Sequence, residues 1–334
     1  MTLDRTLSVA PMIDRTDRHA RYLFRLISAR TLLYTEMITA SALVHGDAER
    51  LLAYDRFEQP VALQVGGSEP GAMAEAARLA EAHGYAEVNI NVGCPSDRVQ
   101  SGAFGACLMA EPETVAACVR AMRAATSLPI TVKTRIGIDH RDHYEDLLGF
   151  VDPVAEAGCT TFIIHARKAW LQGLSPKANR EIPPLHHDRV VALKRDRPEL
   201  EIIINGGIGS LAEVETHLER VDGCMLGRAP YADPWLLAPA DERLWGAPAS
   251  ADSRADSRAD VVRRYLPYVR AHMAAGVPLH HLTRHMGGLF SGCPGARAWR
   301  RTLAEGAAAR GGIEVIEDAL ARVEAAAATL EATA

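Results

Sequence analysis

One cysteine of this chain stands where a thiol could take part in a reaction. Cys94 follows Asn91 and Gly93 in the segment NINVGCPSDRVQSGAFGACLM and directly precedes Pro95. At such a position a thiol can act as a nucleophile, as a proton donor or as an inert core sulfur. No Cys/His/Asn protease signature surrounds Cys94, so a hydrolytic role lacks its partners. Proton donation needs only one acidic hydrogen and correct placement.

The other cysteines predict no special chemistry. The six cysteines include no CxxC pair, which argues against a zinc site and against a disulfide framework. Because a buried structural thiol is the commonest fate of a cysteine, we interpret five of them in this way. They are Cys107, Cys118, Cys159, Cys224 and Cys293. We therefore expect no metal site.

Two glycine-containing segments could bind a phosphate group. INGGIGS and MLGRA contribute Gly206, Gly207 and Arg228 directly after apolar runs. Glycines let backbone N–H groups approach an anion, and a guanidinium can bind it in a fork, although glycine pairs also occur in turns that bind nothing. Lys133 and His165 lie on two other runs, ITVKTRIG and TTFIIHA. Together these residues favour a phosphorylated cofactor, and a lysine beside a flavin would stabilise the negative charge that reduction creates.

Eight short apolar runs alternate with helix-like segments up to about residue 235. The runs are LSVAPMI, TLLYTEM, VALQVGG, EVNINVG, ITVKTRIG, TTFIIHA, EIIINGG and GCMLGRA. Nearly continuous apolar runs are typical of strands buried on both faces. Separated by crossover helices, they predict an α/β fold, a (β/α)8 TIM barrel with its site at the C-terminal ends of the strands. An open doubly wound sheet is the rival fold, but no GxGxxG follows the first run.

Polar or small residues end most of these runs, so a barrel would bring them to one rim. For any one of them a satisfied buried polar group is the ordinary interpretation. That interpretation is weaker for the whole set, because Lys and Arg are rarely buried unless they are paired. The set is Pro11, Met12, Gln64, Asn91, Cys94, Lys133, Arg135, His165, Asn205, Gly206, Gly207, Gly227 and Arg228.

The composition of the chain changes after the last run. Residues 246–260, GAPASADSRADSRAD, are small and polar with a repeated ADSR unit, which is typical of a linker. Apolar residues at helical spacing follow. We predict a catalytic barrel over residues 1–245, a linker over 246–260 and a helical domain over 261–334.

The predicted helical domain is basic, although the whole chain has a net charge of -5. Residues 261–310 hold eight arginines against the single acid Glu305, a local net charge of +7. Two basic segments also carry a tryptophan, HARKAWLQGLSPKANREIPPL after the sixth run and GARAWRRTL near the C-terminus. This mixture of phosphate-binding and stacking side chains indicates a folded RNA as partner. A long surface loop can also be basic without a ligand.

The sequence predicts neither export nor a membrane anchor. No stretch of about eighteen apolar residues occurs, and the N-terminal segment lacks an apolar run behind a basic flank. We therefore expect a cytoplasmic protein with no membrane-spanning segment.

Taken together, the motifs resemble those of the tRNA-dihydrouridine synthases. The matching segments are VAPMIDRTD, LQVGG, NINVGCPSDRVQSGAFGACLM, VKTRIGID, IHARKAWLQGLSPKANREIPPL, INGGI and LGRA. The resemblance extends from about residue 7 to residue 310. The loop after the sixth run is similar to that of the A subfamily, which modifies D-loop uridines at positions 20 and 20a.

The resemblance implies an FMN-containing barrel followed by a helical tRNA-binding domain, with NADPH as reductant. Reduced flavin would deliver hydride to C6 of an extruded uracil, and Cys94 would protonate C5. FMN would be bound by Pro11, Met12, Gln64, Lys133, His165, Asn205, Gly206, Gly207, Gly227 and Arg228. The tRNA would be contacted or oriented by Asn91, Lys177, Arg180, Arg297 and Arg300. A monomer that binds one tRNA is the simplest assembly.

Three other functions stay open at this point. The nearest is a flavin barrel that acts on a free pyrimidine such as dihydroorotate, its C-terminal module serving oligomerisation. The others are an RNA-binding barrel without turnover and a phosphate-binding isomerase without flavin. None of them accounts for Cys94, Lys133, His165 and both basic segments together.

Overall fold

Eight parallel strands form the first part of the chain in this computed structural model, which describes residues 3–246, 255–309 and 311–332. The strands coincide with the eight apolar runs, because each run is buried on both of its faces. We number them β1 (Leu7–Val9), β2 (Leu32–Tyr34), β3 (Val61–Gly66), β4 (Glu87–Val92), β5 (Ile130–Arg135), β6 (Thr161–His165), β7 (Glu201–Asn205) and β8 (Gly223–Leu226).

The sheet closes on itself. Each strand pairs in parallel with the next one, and β1 pairs with β8 through Val9 beside Leu226. A two-residue strand, Ile38–Thr39, also pairs with the end of β3. The surrounding segments are helical. The predicted (β/α)8 barrel is therefore confirmed.

The helices take their boundaries from local signals in the sequence. They are α1 (Arg18–Arg25), α2 (Ala40–His45), α3 (Ala48–Leu52), α4 (Pro70–Ala82), α5 (Asp97–Ser101), α6 (Pro112–Ala125), α7 (Tyr144–Glu156), α8 (His187–Asp196), α9 (Leu211–Leu218), α10 (Arg228–Ala232), α11 (Ala240–Trp245), α12 (Arg258–Ala274), α13 (Leu279–Thr283), α14 (Ala296–Ala308) and α15 (Glu314–Glu331). In α4, Pro70 is the first helical residue, and the side chain of Glu69 accepts hydrogen bonds from two N–H groups of the first turn. Gly84 ends the turn after α4 with a φ of 80°.

Charged residues as well as aliphatic ones fill the barrel interior. Arg5 on the segment before β1 donates to Glu87 at 2.6 Å and to Glu201 at 2.9 Å. Glu87 is 0% exposed, and Tyr34 donates its hydroxyl to the same carboxylate at 2.6 Å. A buried carboxylate with an arginine and further donors is one that the fold can tolerate.

The chain folds into two compact units. The first comprises Met1–Asp14 and Leu32–Gly227, and the second comprises Arg15–Thr31 and Arg228–Ala334. In the second unit Tyr22 of α1 stacks on Tyr268 of α12, with ring centroids 3.9 Å apart. The segment that follows β1 is thereby packed into the helical unit.

The predicted linker falls only partly within the described residues. Residues 247–254 lie outside the described residues, and α12 begins at Arg258, so the last three residues of the predicted linker are helical. The proposed domain boundaries otherwise remain a prediction. Within the described part of the chain, no helix combines the length and the apolarity that crossing a membrane requires.

Candidate active site

The backbone around Cys94 is held on both sides. Asn91 Oδ1 accepts hydrogen bonds from the N–H groups of Gly93 and Cys94, both at 3.0 Å. The carbonyl of Cys94 accepts from the N–H of Ala106 at 2.9 Å. Gly105 has a φ of 79°, and a Cβ atom there would lie 2.6 Å from that carbonyl oxygen. The thiol is half-buried just beyond the end of β4, with Sγ 3.5 Å from Ser96 Oγ.

Strand register aligns the candidate residues around the rim. In the β4–β5 pair Asn91 lies beside Lys133, and in the next pair Arg135 lies beside His165. His165 lies beside Asn205 in the pair after that. Because the strands are parallel, all these side chains come to the same end of the barrel. The sequence prediction of one shared rim is therefore correct for these residues.

The rim is strongly electropositive. Burial and the neighbouring charge of Arg135 lower the pKa of Lys133 to about 7. Burial lowers the pKa of Arg135 to about 10, although Cys94 acts in the opposite direction. Burial, followed by the charges of Arg135, Lys133, Arg167 and Arg180, lowers the pKa of His165 well below its ordinary value. His165 is therefore a neutral imidazole among cations, and the site suits an anion.

Two glycines after β7 are required by their surroundings. Gly206 has a φ of 110°, and a Cβ atom there would lie 2.5 Å from Cδ2 of His165. Gly207 has a φ of 77°, and a Cβ atom would clash with Leu185. The carbonyl of Gly206 is 2.7 Å from Nε2 of His187. This left-handed turn brings the backbone close to the imidazole of His165. Backbone turns of this kind can form binding sites for phosphorylated ligands.

The remaining predicted cofactor residues occupy the same rim or the chain that leaves it. Gln64 of β3 is 1% exposed, and Pro11 and Met12 are half-buried after β1. A Cβ atom on Gly227, directly after β8, would meet no atom within 4 Å. Arg228 follows as the first residue of α10.

The long loop after β6 is closed by a buried asparagine. Asn179 is 0% exposed; its Oδ1 accepts from Trp170 N at 2.8 Å, and its Nδ2 donates to the carbonyls of Trp170 and Leu174. Lys177 and Arg180 flank Asn179 and are exposed. The loop therefore presents these two predicted tRNA-binding side chains from a fixed backbone.

Arg135 joins this loop to the Cys94 segment, a role that we did not predict from the sequence. Its Nε donates to the carbonyl of Gly93 at 2.8 Å, and its Nη1 donates to the carbonyls of Lys168 at 3.0 Å and Asn179 at 3.2 Å. The sequence did contain a signal for Arg135. It lies two residues after the candidate Lys133, and residues two apart on a strand share a face.

Asn91 uses its side chain within the protein. Besides accepting the two N–H bonds, its Nδ2 donates to Gln64 Oε1 at 3.0 Å and lies 3.2 Å from the sulfur of Met37. It is 9% exposed. Its predicted contact with tRNA remains a prediction, whereas its contact with the Cys94 backbone is direct.

The basic segment of the second unit, residues 261–310, has less available positive charge than its composition indicates. Four of its arginines form ion pairs with acids from elsewhere in that unit. These pairs are Arg263–Glu324, Arg264–Asp260, Arg270–Glu317 and Arg284–Asp17. Among the ion pairs of the described residues, none involves the exposed side chains of Arg297, Arg300 and Arg301 on α14. In the described part of the segment, these three side chains are therefore the available cations.

The interpretation of Trp299 as a stacking surface for RNA is wrong. Its side chain is 0% exposed, its Nε1 donates to the carbonyl of Met286 at 2.9 Å, and its ring packs on Phe290. The large apolar ring is buried in the core, whereas the neighbouring arginines are exposed. In the described residues, no three His, Cys, Asp or Glu side chains are grouped so that they could hold a metal ion.

Known proteins resemble this chain over almost its whole length. Residues 8–326 match the sequence model of the family described as dihydrouridine synthase (Dus). The tRNA-dihydrouridine(20/20a) synthase of Shewanella oneidensis is 58% identical over 323 residues, which is 96% of this chain and 95% of that protein. The proteins of the same name from Vibrio cholerae and Escherichia coli K12 are 54% and 58% identical over 97% and 94% of this chain and 98% and 90% of their own lengths.

Among solved structures, the fold is similar to that of a 2-naphthoyl-CoA reductase in complex with 2-naphthoyl-CoA. The TM-score is 0.55 at 12% sequence identity, and the match covers 71% of this chain and 50% of that one. At this identity the likeness supports the fold and nothing further.

Proposed function

Because this chain belongs to the dihydrouridine synthase family, we propose that it reduces D-loop uridines of tRNA at position 20, position 20a or both. The observation that carries the proposal is the half-buried Cys94 thiol, whose backbone is held by Asn91 at the same rim of the barrel as Lys133 and Arg135. A proton donor is needed there, since hydride addition to an electron-poor pyrimidine leaves an enolate. Relatives named for this activity match 96% and 97% of this chain.

The residues of the rim fit FMN. A left-handed turn such as that at Gly206 and Gly207 can direct backbone N–H groups toward a phosphate, and the open space at Gly227 can receive a ligand. Lys133 would gain charge beside an anion, which suits a cofactor that becomes negative on reduction. When bound and reduced by NADPH, a flavin supplies the hydride for C6 of the uracil. Pro11, Met12, Gln64, His165, Asn205 and Arg228 complete the proposed set.

Cys94 would give its proton to C5 of the same base. The hydrogen bonds to the Cys94 backbone set where the thiol can point, so the acid does not depend on substrate to become ordered. Ser96, with Oγ 3.5 Å from Sγ, can accept the S–H hydrogen bond before transfer.

Exposed cations would hold the RNA. Lys177 and Arg180 lie on the loop after β6, and Arg297 and Arg300 lie on α14. Phosphate contacts of this kind are independent of base identity. Extruding the base costs a few kcal/mol, least for a poorly stacked loop nucleotide. A cytoplasmic location, where such an RNA is available, belongs to the same proposal.

The test is anaerobic electron transfer. The purified protein is reduced with NADPH, unmodified tRNA is added, and flavin absorbance is followed beside samples that receive free uridine or orotate. Fast reoxidation by tRNA alone, with dihydrouridine recovered from the RNA, is the expected result. If no flavin is bound, or if a small pyrimidine reoxidises it while tRNA does not, the proposal is wrong and a free pyrimidine is the substrate.

A further inference from the structure

Strand β4 carries three polar residues that face the barrel interior. Glu87, Asn89 and Asn91 alternate with Val88, Ile90 and Val92, and successive side chains of a strand point to opposite faces. Glu87 and Asn89 are 0% exposed. Such groups are costly to bury unless each one is hydrogen-bonded, so their partners are informative.

The partners form a continuous chain that starts at Glu87. Thr131 Oγ1 donates to Glu87 Oε1 at 2.6 Å. Asn89 Nδ2 donates to Thr131 Oγ1 at 2.9 Å, and Gln64 Nε2 donates to Asn89 Oδ1 at 2.8 Å. Three strands, β3, β4 and β5, contribute to this chain inside the barrel.

The chain continues from Gln64 to the candidate acid. Asn91 Nδ2 donates to Gln64 Oε1 at 3.0 Å, and Cys94 N donates to Asn91 Oδ1 at 3.0 Å. We call the side chains of Glu87, Thr131, Asn89, Gln64 and Asn91 the Glu87 relay. It links the charged interior of the barrel to the backbone of Cys94.

Every bond of the relay runs in the same direction, and the chemistry of Glu87 requires this. Arg5 pairs with Glu87 at 2.6 Å, and a carboxylate can only accept. Tyr34 also donates to it, and burial together with Glu87 raises the pKa of Tyr34 well above its ordinary value, so the phenol keeps its proton. Thr131 has one hydroxyl hydrogen, which it gives to Glu87, so it must accept from Asn89.

The orientation of each amide follows from the one before it. An amide can be turned by 180° with little change of shape, so hydrogen bonds decide which end is the oxygen. With Asn89 Nδ2 committed to Thr131, Asn89 Oδ1 faces Gln64, and Gln64 Oε1 then faces Asn91. The last oxygen faces the N–H groups of Gly93 and Cys94. If the Asn91 amide were turned, its NH2 group would face these two N–H groups, and no hydrogen bond could form.

We propose that Glu87 and Thr131 are positioning residues for Cys94, because through Asn89, Gln64 and Asn91 they orient the oxygen that holds the Cys94 backbone. The functional consequence rests on the proposed role of Cys94 as proton donor. The positioning itself can be measured without that role.

The test uses an isosteric change inside the barrel. Thr131→Val removes the hydroxyl between Glu87 and Asn89, whereas Thr131→Ser keeps it. Thr134→Val is the matched control on the same strand, since Thr134 is also fully buried and, among the described residues, its hydroxyl bonds only to the backbone carbonyls of Val92 and Arg135. All three purified proteins are first compared with the native chain by thermal unfolding.

The readout is the rate at which iodoacetamide alkylates Cys94 in the folded protein. Trypsin places Cys94 on residues 79–98 and both Cys107 and Cys118 on residues 99–120. Peptide masses therefore follow Cys94, and fragment ions distinguish Cys107 from Cys118. We expect Thr131→Val to raise the Cys94 rate by about three- to tenfold, the effect of one or two lost hydrogen bonds. Thr131→Ser and Thr134→Val should keep the native rate, and Cys107 should be unchanged in all three.

A double-mutant cycle separates the relay from general loosening. Asn91→Ala removes the last link and should itself raise the Cys94 rate. If the relay acts through Asn91, then adding Thr131→Val to Asn91→Ala changes nothing further. Multiplied effects in the double variant, or a native Cys94 rate in Thr131→Val alone, would overturn the proposal.

Two provisions keep the test decisive. If Thr131→Val does not fold, Asn89→Ala replaces it, because this change interrupts the Glu87 relay at the next residue. The same double-mutant cycle with Asn91→Ala is then measured. Alkylation needs neither RNA nor turnover, so the relay is judged even if the native protein forms no dihydrouridine. In an active native enzyme, Thr131→Val should also slow single-turnover reduction of bound tRNA while Thr131→Ser restores it.

Discussion

Lys133 donates a hydrogen bond to the side-chain oxygen of Asn205 at 3.1 Å across the rim of the barrel. Asn205 in turn donates to the carbonyl of Met225 at 2.7 Å, which fixes its amide with the oxygen toward the lysine. The ammonium is thus held by a neutral acceptor, while burial and Arg135 lower its pKa to about 7. An anion bound beside Lys133 would stabilise the charged form of this lysine.

The first prediction concerns stability and pH. Because the pKa of Lys133 in the folded protein is about 7 and its ordinary value is 10.5, the unfolded chain binds more protons between these pH values. This residue therefore makes the flavin-free protein more stable as pH rises from about 7 toward 10. Lys133→Met removes the dependence, so its gain in melting temperature over the native chain should be larger at pH 6.5 than at pH 9.

Thermal unfolding of flavin-free protein at the two pH values checks this. Lys177→Met, at an exposed lysine, is the control and should show the same difference from the native chain at both. If the melting temperatures of Lys133→Met and the native chain differ by the same amount at both pH values, then folding does not lower the pKa of Lys133.

The second prediction isolates the proton donor. Cys94→Ala should keep its flavin and its rate of reduction by NADPH but lose about 100- to 10,000-fold in dihydrouridine formation, the usual range for a general acid. Cys107→Ala is the matched control, since that thiol is also half-buried but donates to the carbonyl of Phe104. Single-turnover assays on unmodified tRNA decide the matter, and full activity of Cys94→Ala would assign the proton to another group.

The third prediction uses the open space at Gly227. Since a Cβ atom there meets no protein atom, Gly227→Ala should unfold like the native chain when flavin is absent. If the cofactor occupies that space, overpacking should weaken flavin binding by about tenfold or more. Flavin titration followed by fluorescence measures the change.

The control for Gly227 is a glycine in a helix. Gly149 of α7 also has nothing within 4 Å of its Cβ position, and Gly149→Ala should raise the free energy of unfolding by about 0.5–1 kcal/mol through helix propensity. Its flavin affinity should stay native. Equal flavin binding by both variants would move the cofactor away from Gly227.

The fourth prediction compares paired with unpaired arginines. Arg297→Ala with Arg300→Ala should weaken tRNA binding and lower the slope of log affinity against log salt by about one to two. Arg263→Ala with Arg270→Ala removes the same charge, but these side chains are already neutralised by Glu324 and Glu317. Filter binding over a range of salt concentrations should show a clearly smaller loss for this second pair. Equal losses would show that net charge, not the α14 cluster, binds the RNA.

The barrel and the types of residue at its rim were predictable from the sequence. Buried parallel strands show as continuous apolar runs, and residues at their C-terminal ends must share one edge, which assigned Cys94, Lys133 and His165 to a common site. The sequence also has glycine at positions 206 and 207, where the structure has positive φ angles that few other residues adopt. These inferences need only local periodicity and chain direction.

Only the tertiary structure decided which polar groups meet and which side chains reach solvent. Lys133 and Asn205 are 72 positions apart, and Arg5 and Glu87 are 82 apart, so no local pattern reveals these pairs. Long-range packing also buried Trp299 and neutralised half of the arginines in the basic segment. Burial and hydrogen bonding depend on neighbours from distant parts of the chain, whereas secondary structure and residue chemistry depend mainly on the local sequence.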